Sequence, residues 1–237
     1  MIKDQEVANI IRKEENKQQF KLSMIPSENF FSADVRKAVG SVFMHKYAEG
    51  NVGKRYYEGN QFVDQLELLT IERAKKAFSL PEHWSVNVQA LSGSNANLAV
   101  YLTLLNIGDT IMGMYLPDGG HLSHGWSYEP KVEQNPNELT YMGGSRKVNI
   151  SSKIFKTVQY KTNPNTQLFN YDEIERIALE HKPKLIITGG TAYPREIDYQ
   201  RMKQIAEKVG AYYLADIAHE AGLIAAGVNK SPVGIAD

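Results

Sequence analysis

The sequence contains no cysteine, which excludes a disulfide framework, a thiolate nucleophile and a thiolate metal ligand. Its 27 basic and 27 acidic residues cancel, so no global field of either sign favours nucleic acid or an acidic membrane surface. No apolar run approaches membrane-spanning length, and the opening Met1-Ile2-Lys3-Asp4-Gln5-Glu6 lacks the apolar stretch of a secretory signal. The expectation is a cytoplasmic protein without nucleic-acid or membrane partners, in which the sequon Asn149-Ile150-Ser151 is a coincidence. There is no GxGxxG, so a dinucleotide fold has no support. What is present is ordinary globular material: 42% hydrophobic and 23% charged over 237 residues, enough for one large domain or two small ones.

Residues 4–20 are polar and helix-forming, with Val7, Ile10, Ile11 and Phe20 as a thin apolar face. That is an arm lying on something else, such as a second subunit, rather than a core helix. Met24-Ile25-Pro26-Ser27-Glu28-Asn29 breaks the pattern, and Ser32 or Asp34 can cap a helix running to about His45. Residues 47–60, rich in Gly and Tyr and carrying Glu49 and Glu58, read as a functional loop. Gly53-Lys54 invites a phosphate-loop reading that fails, because Ala48 stands where the first glycine belongs and Arg55 where Ser or Thr belongs.

From residue 62 the pattern alternates. Apolar residues at three- and four-residue spacing predict a helix over 62–78, closed by Pro81. A short strand is expected over Trp84–Val88, a helix from Leu91 to Leu105, and strands over 110–114, 154–158, 184–188 and 211–214. Helices over 171–181 and 199–209 separate the later strands, and residues 126–150 form a polar excursion. This alternation argues a mainly parallel α/β sheet flanked by helices. The tail 228–237 leads towards a further strand, so the sequence reads as truncated or split.

Three stretches carry chemistry. The apolar Ala211–Leu214 delivers Asp216 and then His219 at a strand's C-terminal end, where ligands of open α/β sheets lie. An acid and an imidazole together suit a cofactor with a basic ring nitrogen and a polar substituent, such as pyridoxal phosphate; Asp216 can equally cap the following turn. Ser92-Gly93-Ser94 at a helix N-terminus offers free N–H groups and two hydroxyls to a phosphate, although serine caps helices without any ligand. In Leu116-Pro117-Asp118-Gly119-Gly120-His121-Leu122-Ser123-His124-Gly125, a metal set of Asp118, His121 and His124 is a weak reading; a glycine pair beside His121 also lets an imidazole approach a flat ligand.

Taken with Ser27-Glu28-Asn29, Lys46-Tyr47-Ala48-Glu49-Gly50, Gly53-Lys54-Arg55-Tyr56-Tyr57 and Ala192-Tyr193-Pro194-Arg195, these stretches make the sequence resemble serine hydroxymethyltransferase, a fold-type I pyridoxal phosphate enzyme, from about residue 20 to Asp237. The resemblance implies the large domain of that fold over 61–237, incomplete at its C-terminus, an arm and inter-subunit loop over 1–60, and no C-terminal small domain. It implies pyridoxal 5'-phosphate as cofactor, with Asp216 on the ring nitrogen, His219 on the phenolic oxygen and His121 stacked on the ring. Ser92, Gly93 and Ser94 would hold the phosphate, and Thr191 stands where the family usually has serine. Ser27 would bind substrate serine. Tyr47, Glu49 and Tyr57 would come from the neighbouring subunit of a homodimer or tetramer, with Glu49 handling protons and touching folate, and Leu116, Gly120 and Leu122 would line the folate site. No metal is implied.

The implied reaction transfers the hydroxymethyl carbon of serine to tetrahydrofolate, giving glycine and 5,10-methylenetetrahydrofolate. The family's cofactor-bearing lysine and the arginine that grips the substrate carboxylate fall beyond residue 237, and nothing around Lys230 matches either. This stretch by itself is then expected to hold the cofactor non-covalently and not to turn over. Two alternatives accompany this reading: a folate-independent, glycine-forming aldolase of the threonine aldolase kind, and a catalytically dead fragment that dimerises with an intact partner.

Overall fold

The computed structural model describes residues 2–25, 28–128 and 146–237, and the chain divides into two compact units, Met1–Lys46 and Tyr47–Asp237. In the first unit, α1 (Gln5–Phe20) starts where the Asp4 carboxylate accepts the N–H groups of Glu6 and Val7. It buries no residue, and Ile10 and Phe20 are largely exposed. The next helix, α2 (Ala33–Val39), is capped by Ser32, whose hydroxyl accepts from Val35 N–H; Asp34 lies in its first turn. It stops at Gly40, short of His45, and residues 42–45 form a tighter 3₁₀ turn. Glycine is among the poorest helix formers, and here it ends the run.

The second unit opens with a hairpin, β1 (Gly50–Asn51) against β2 (Lys54–Arg55), inside the expected loop. Then come α3 (Gln61–Ala77), α4 (Gly93–Leu104), β3 (Thr110–Met114), β4 (Ser127–Tyr128) and β5 (Arg146–Lys147). They are followed by α5 (Ile150–Ile154), β6 (Lys156–Tyr160), α6 (Tyr171–His181), β7 (Leu185–Thr188), α7 (Tyr199–Val209), β8 (Tyr212–Ala215) and α8 (Ala221–Ala225). The strand expected over Trp84–Val88 is extended chain without a ladder partner among the described residues. Composition there is strand-like, but a strand exists only where a neighbour takes up its hydrogen bonds.

The strand expected from residue 154 begins at Lys156, because Asn149 closes a capping box with Ser152 and turns 150–154 into a helix. The same Asn149 amide donates to Trp126 O at 2.6 Å, so the sequon asparagine serves the fold. Of the excursion expected over 126–150, residues 129–145 lie outside the described residues, and the ends pair as β4 and β5.

The main sheet has the order β6-β3-β7-β8, with every pair parallel. Successive side chains point to opposite faces, and the two cores follow that parity. Met112, Met114 and Ile186 join Ile174, Met202 and Ile205 of α6 and α7 on one side. Ile111, Leu185 and Ile187 join Tyr101 of α4 and Phe155 on the other. Both faces are covered, which is why β7 is buried along its whole length. The Tyr160 hydroxyl donates to Ile187 O at 2.8 Å, and Thr188 and Tyr213 share a 2.7 Å bond, so polar tips inside the core are paired. From β3 the chain moves to β6 on one flank and later to β7 on the other. That reversal leaves a crevice at the C-terminal ends of the strands.

Candidate functional site

The crevice holds a cavity of about 240 Å³ lined by Ser92, Gly93, Ser94, His121, His124, Gly190, Asp216, Ala218 and His219. Asp216 arrives directly after β8, and its N–H still donates to Thr188 O at 2.8 Å, so the strand pairing carries its backbone into the site. Gly189 faces it at φ +119°, and a Cβ there would overlap the Asp216 carbonyl. Only glycine combines that backbone conformation with that approach.

The Asp216 carboxylate is heavily bonded. Oδ2 accepts from Asn97 Nδ2 at 2.8 Å and from His124 Nε2 at 2.9 Å, while Oδ1 accepts from Ala218 N–H at 3.1 Å. Burial acts to raise its pKa, but the hydrogen bonds from His124, Asn97 and Ala218 outweigh it and hold the group well below the ordinary carboxylate range. Asp216 is therefore an anion at neutral pH, and it caps its own turn as well. A carboxylate only accepts, so His124 carries its proton on Nε2; its buried Nδ1 has no hydrogen-bond partner among the described residues. His124 reaches this place because Gly113 of β3 has no side chain: a Cβ there would lie 2.7 Å from His124 O and 2.9 Å from its Cβ.

His121 packs edge-on to His124 with ring centroids 5.6 Å apart. Its Nδ1 lies 2.7 Å from Ser123 Oγ and 3.2 Å from Ser123 N. Burial first, then the neighbouring His124, lower its pKa against the opposing pull of Asp216, so the ring is neutral at pH 7. Ser92 begins α4 without a capping bond from its side chain, its hydroxyl lying 2.7 Å from Asn95 Oδ1 instead. The first N–H groups of a helix have no partner within it, so this terminus offers donors and the positive end of the dipole to an anion.

Ser92, Gly93, Ser94, His121, Asp216 and His219, singled out by sequence, thus line one cavity. Thr191 follows Gly190; its N–H donates to Gly119 O at 2.7 Å, and its buried Oγ1 is without a partner among the described residues. Tyr47, Glu49 and Tyr57 do not line the cavity, nor do Leu116, Gly120 and Leu122. Ser27 lies outside the described residues. Asp118, weighed as a metal ligand with His121 and His124, instead accepts from Thr162 N–H at 2.7 Å and from its hydroxyl at 3.0 Å.

Tyr47 and Tyr57 meet edge-on at 5.6 Å and are at least half exposed. Their loop is held by Arg55, whose buried guanidinium bonds Asp64, Glu67 and the carbonyls of Ala48 and Gly50 on either side of Glu49. Asn97, Ser123 and Arg55 went unassigned by sequence, and His124 was considered only for a metal. The legible signal was the His121–His124 spacing and a glycine inside β3; the partners themselves come from distant segments.

A family model described as serine hydroxymethyltransferase matches residues 1–237. A serine hydroxymethyltransferase of Acinetobacter baylyi is 48% identical over 234 residues, 99% of this chain and 51% of the relative. One from Rickettsia akari is 49% identical over 98% of this chain and 50% of its own length. The Saccharomyces cerevisiae protein named serine hydroxymethyltransferase, cytosolic, is 45% identical over 99% and 47%. The chain spans about half the length of the curated relatives it matches. With the model matched from first residue to last, the chain belongs to the serine hydroxymethyltransferase family.

Proposed function

We propose that the second unit binds pyridoxal 5'-phosphate and serves the transfer of the serine hydroxymethyl carbon to tetrahydrofolate. The observation that carries this reading is the convergence of an ionised acid, three imidazoles and a helix N-terminus on one small cavity. The residues fit the group. Asp216 is an anion matched to a protonated ring nitrogen, and α4 presents donors matched to a phosphate; Thr191 follows the lining residue Gly190 without itself lining the cavity, and its buried hydroxyl has no partner among the described residues.

When bound, the cofactor would supply a protonated ring able to act as an electron sink for the carbon next to the substrate amine. The chain's part is to arrange it. Asp216 keeps the proton on the ring nitrogen, because an anion bonded to that N–H opposes its loss. His219 would bond the phenolic oxygen, and neutral His121 would stack on the ring face. Ser92, Gly93 and Ser94 hold the phosphate through N–H groups and hydroxyls.

Tyr47, Glu49 and Tyr57 act on a neighbouring copy's site; their exposure and their absence from this cavity support that role. Glu49 then exchanges the proton of the serine hydroxyl. Leu116, Gly120 and Leu122 line the folate position, and Ser27 meets substrate serine. Cytoplasmic residence belongs to the same proposal: no described helix is long and apolar enough to cross a membrane. The aldolase alternative gains nothing from the family match, since the relatives bear the hydroxymethyltransferase name.

An absorbance titration of the chain with pyridoxal phosphate, repeated on Asp216→Ala, tests the reading. Saturable binding by the parent that is weakened at least tenfold in the variant supports it. Binding that is unsaturable, or indifferent to Asp216, overturns it.

A further inference from the structure

The Asn97 amide nitrogen donates in two directions. One hydrogen bond, 2.8 Å, goes to Asp216 Oδ2, and the other, 2.9 Å, goes to Ser123 Oγ. An amide nitrogen has two protons and no lone pair to offer, so Ser123 Oγ is an acceptor here. Its own proton is left for the remaining neighbour, His121 Nδ1, at 2.7 Å. The Ser123 backbone N–H also points at that Nδ1, at 3.2 Å. An N–H and an O–H aimed at one ring nitrogen leave no room for a proton on it.

We propose that Asn97 and Ser123 form a directional hydrogen-bond relay that locks His121 as the neutral imidazole with its proton on Nε2. Every polar contact of the relay runs one way, from Asn97 through Ser123 to the lone pair on His121. Both relay members are buried, and the Tyr101 hydroxyl fixes the Ser123 backbone by donating to its carbonyl at 3.1 Å.

The titratable groups facing His121 are His124, Asp216 and His219. Of these only the Asp216 anion favours an imidazolium, and Asp216 already receives bonds from His124, Asn97 and Ala218. The purpose of the lock rests on the reading of His121 as the ring-stacking residue. A neutral ring can lie on a protonated pyridine, whereas an imidazolium would repel it and compete for Asp216. One amide thereby orients both the acid that charges the ring nitrogen and the imidazole that must stay uncharged beside it. Asn97 and Ser123 are positioning residues.

The test is ¹⁵N NMR of the imidazole side chains in the chain itself, since the two neutral tautomers have separate nitrogen shifts. The parent is expected to show His121 with Nε2 protonated and Nδ1 bare. Ser123→Ala should lower the preference about fivefold, the backbone N–H remaining; Ser123→Thr, which keeps the hydroxyl, should restore it. Asn97→Leu, read the same way, covers the case in which Ser123→Ala does not fold. A parent with the proton on Nδ1, or a ratio unmoved by Ser123→Ala or by Asn97→Leu, overturns the relay. A pyridoxal phosphate titration on the same samples keeps the two readings apart. Failure to bind with the tautomer signature intact removes the cofactor reading and leaves the relay standing.

Discussion

His124 and Asp216, 92 residues apart in sequence, are joined by a 2.9 Å bond from Nε2 to Oδ2 in a pocket where the histidine is 1% exposed and the aspartate 15%. The acid that charges the site is therefore held from the β3 side of the sheet as well as from its own strand. Removing one donor leaves an anion under-bonded where water is scarce. His124→Phe, which keeps the ring volume, is expected to cost about 1–3 kcal/mol of stability. Urea unfolding with an unchanged slope measures it, and a cost below about 0.5 kcal/mol would deny the bond any role in stability.

Asp216 also predicts a pH dependence. Its folded pKa lies below the ordinary 3.8. The unfolded chain therefore takes up this proton first as pH falls. The stabilisation is fully present above about pH 4 and is lost as pH drops towards the folded value. Asp216→Asn should flatten the decline in melting temperature below pH 4 relative to the parent, and identical slopes would contradict the assignment.

His121 runs the other way in charge but similarly in pH. Its folded pKa is below the ordinary 6.5, because burial and His124 outweigh Asp216. Below pH 6.5 the unfolded chain binds the extra proton more readily, so this group costs stability there and nothing above. A ¹H NMR titration should place its midpoint under 6.5, and a midpoint at or above that value would refute the neutral stacking ring.

Backbone geometry at the site is equally exposed to test. Gly189→Ala forces a Cβ into the Asp216 carbonyl at φ +119°. About 2 kcal/mol or more is expected, or roughly 4–8 °C in melting temperature for a chain this long. Gly113→Ala should act differently: its Cβ meets His124, so the His124 ring resonances should shift along with stability.

Arg55→Lys probes the loop bearing Glu49. Lysine has one compact ammonium group where Arg55 spreads four bonds over two carboxylates and two carbonyls. The Tyr56 amide, which donates to Glu49 O at 3.0 Å, should exchange with solvent faster in the variant. Unchanged protection would show that the hairpin holds itself.

Periodicity and punctuation were enough to read α3, α6 and α7 within a residue or so, because their apolar spacing, caps and stops are local. The parallel sheet was legible for a similar reason: short apolar runs separated by helices can pair in few ways. Trp84–Val88 failed because its strand-like residues find no ladder neighbour among the described residues, which no window of sequence reports. The start of β6 slipped by two residues because the Asn149 capping box took residues 150–154 into a helix.

At the site, sequence pattern identified the groups with chemistry of their own: Asp216, His219, His121 and the Ser92-Gly93-Ser94 turn, each marked by residue type at a strand end or helix start. The tertiary structure alone decided how they are wired. Asn97, Ser123 and His124 meet Asp216 and His121 only because α4 and the loop after β3 converge beside the end of β8, and Gly113 and Gly189 leave room for that approach. A hydrogen bond depends on tenths of an ångström between segments far apart in the chain, and that separation has no trace in local residue order.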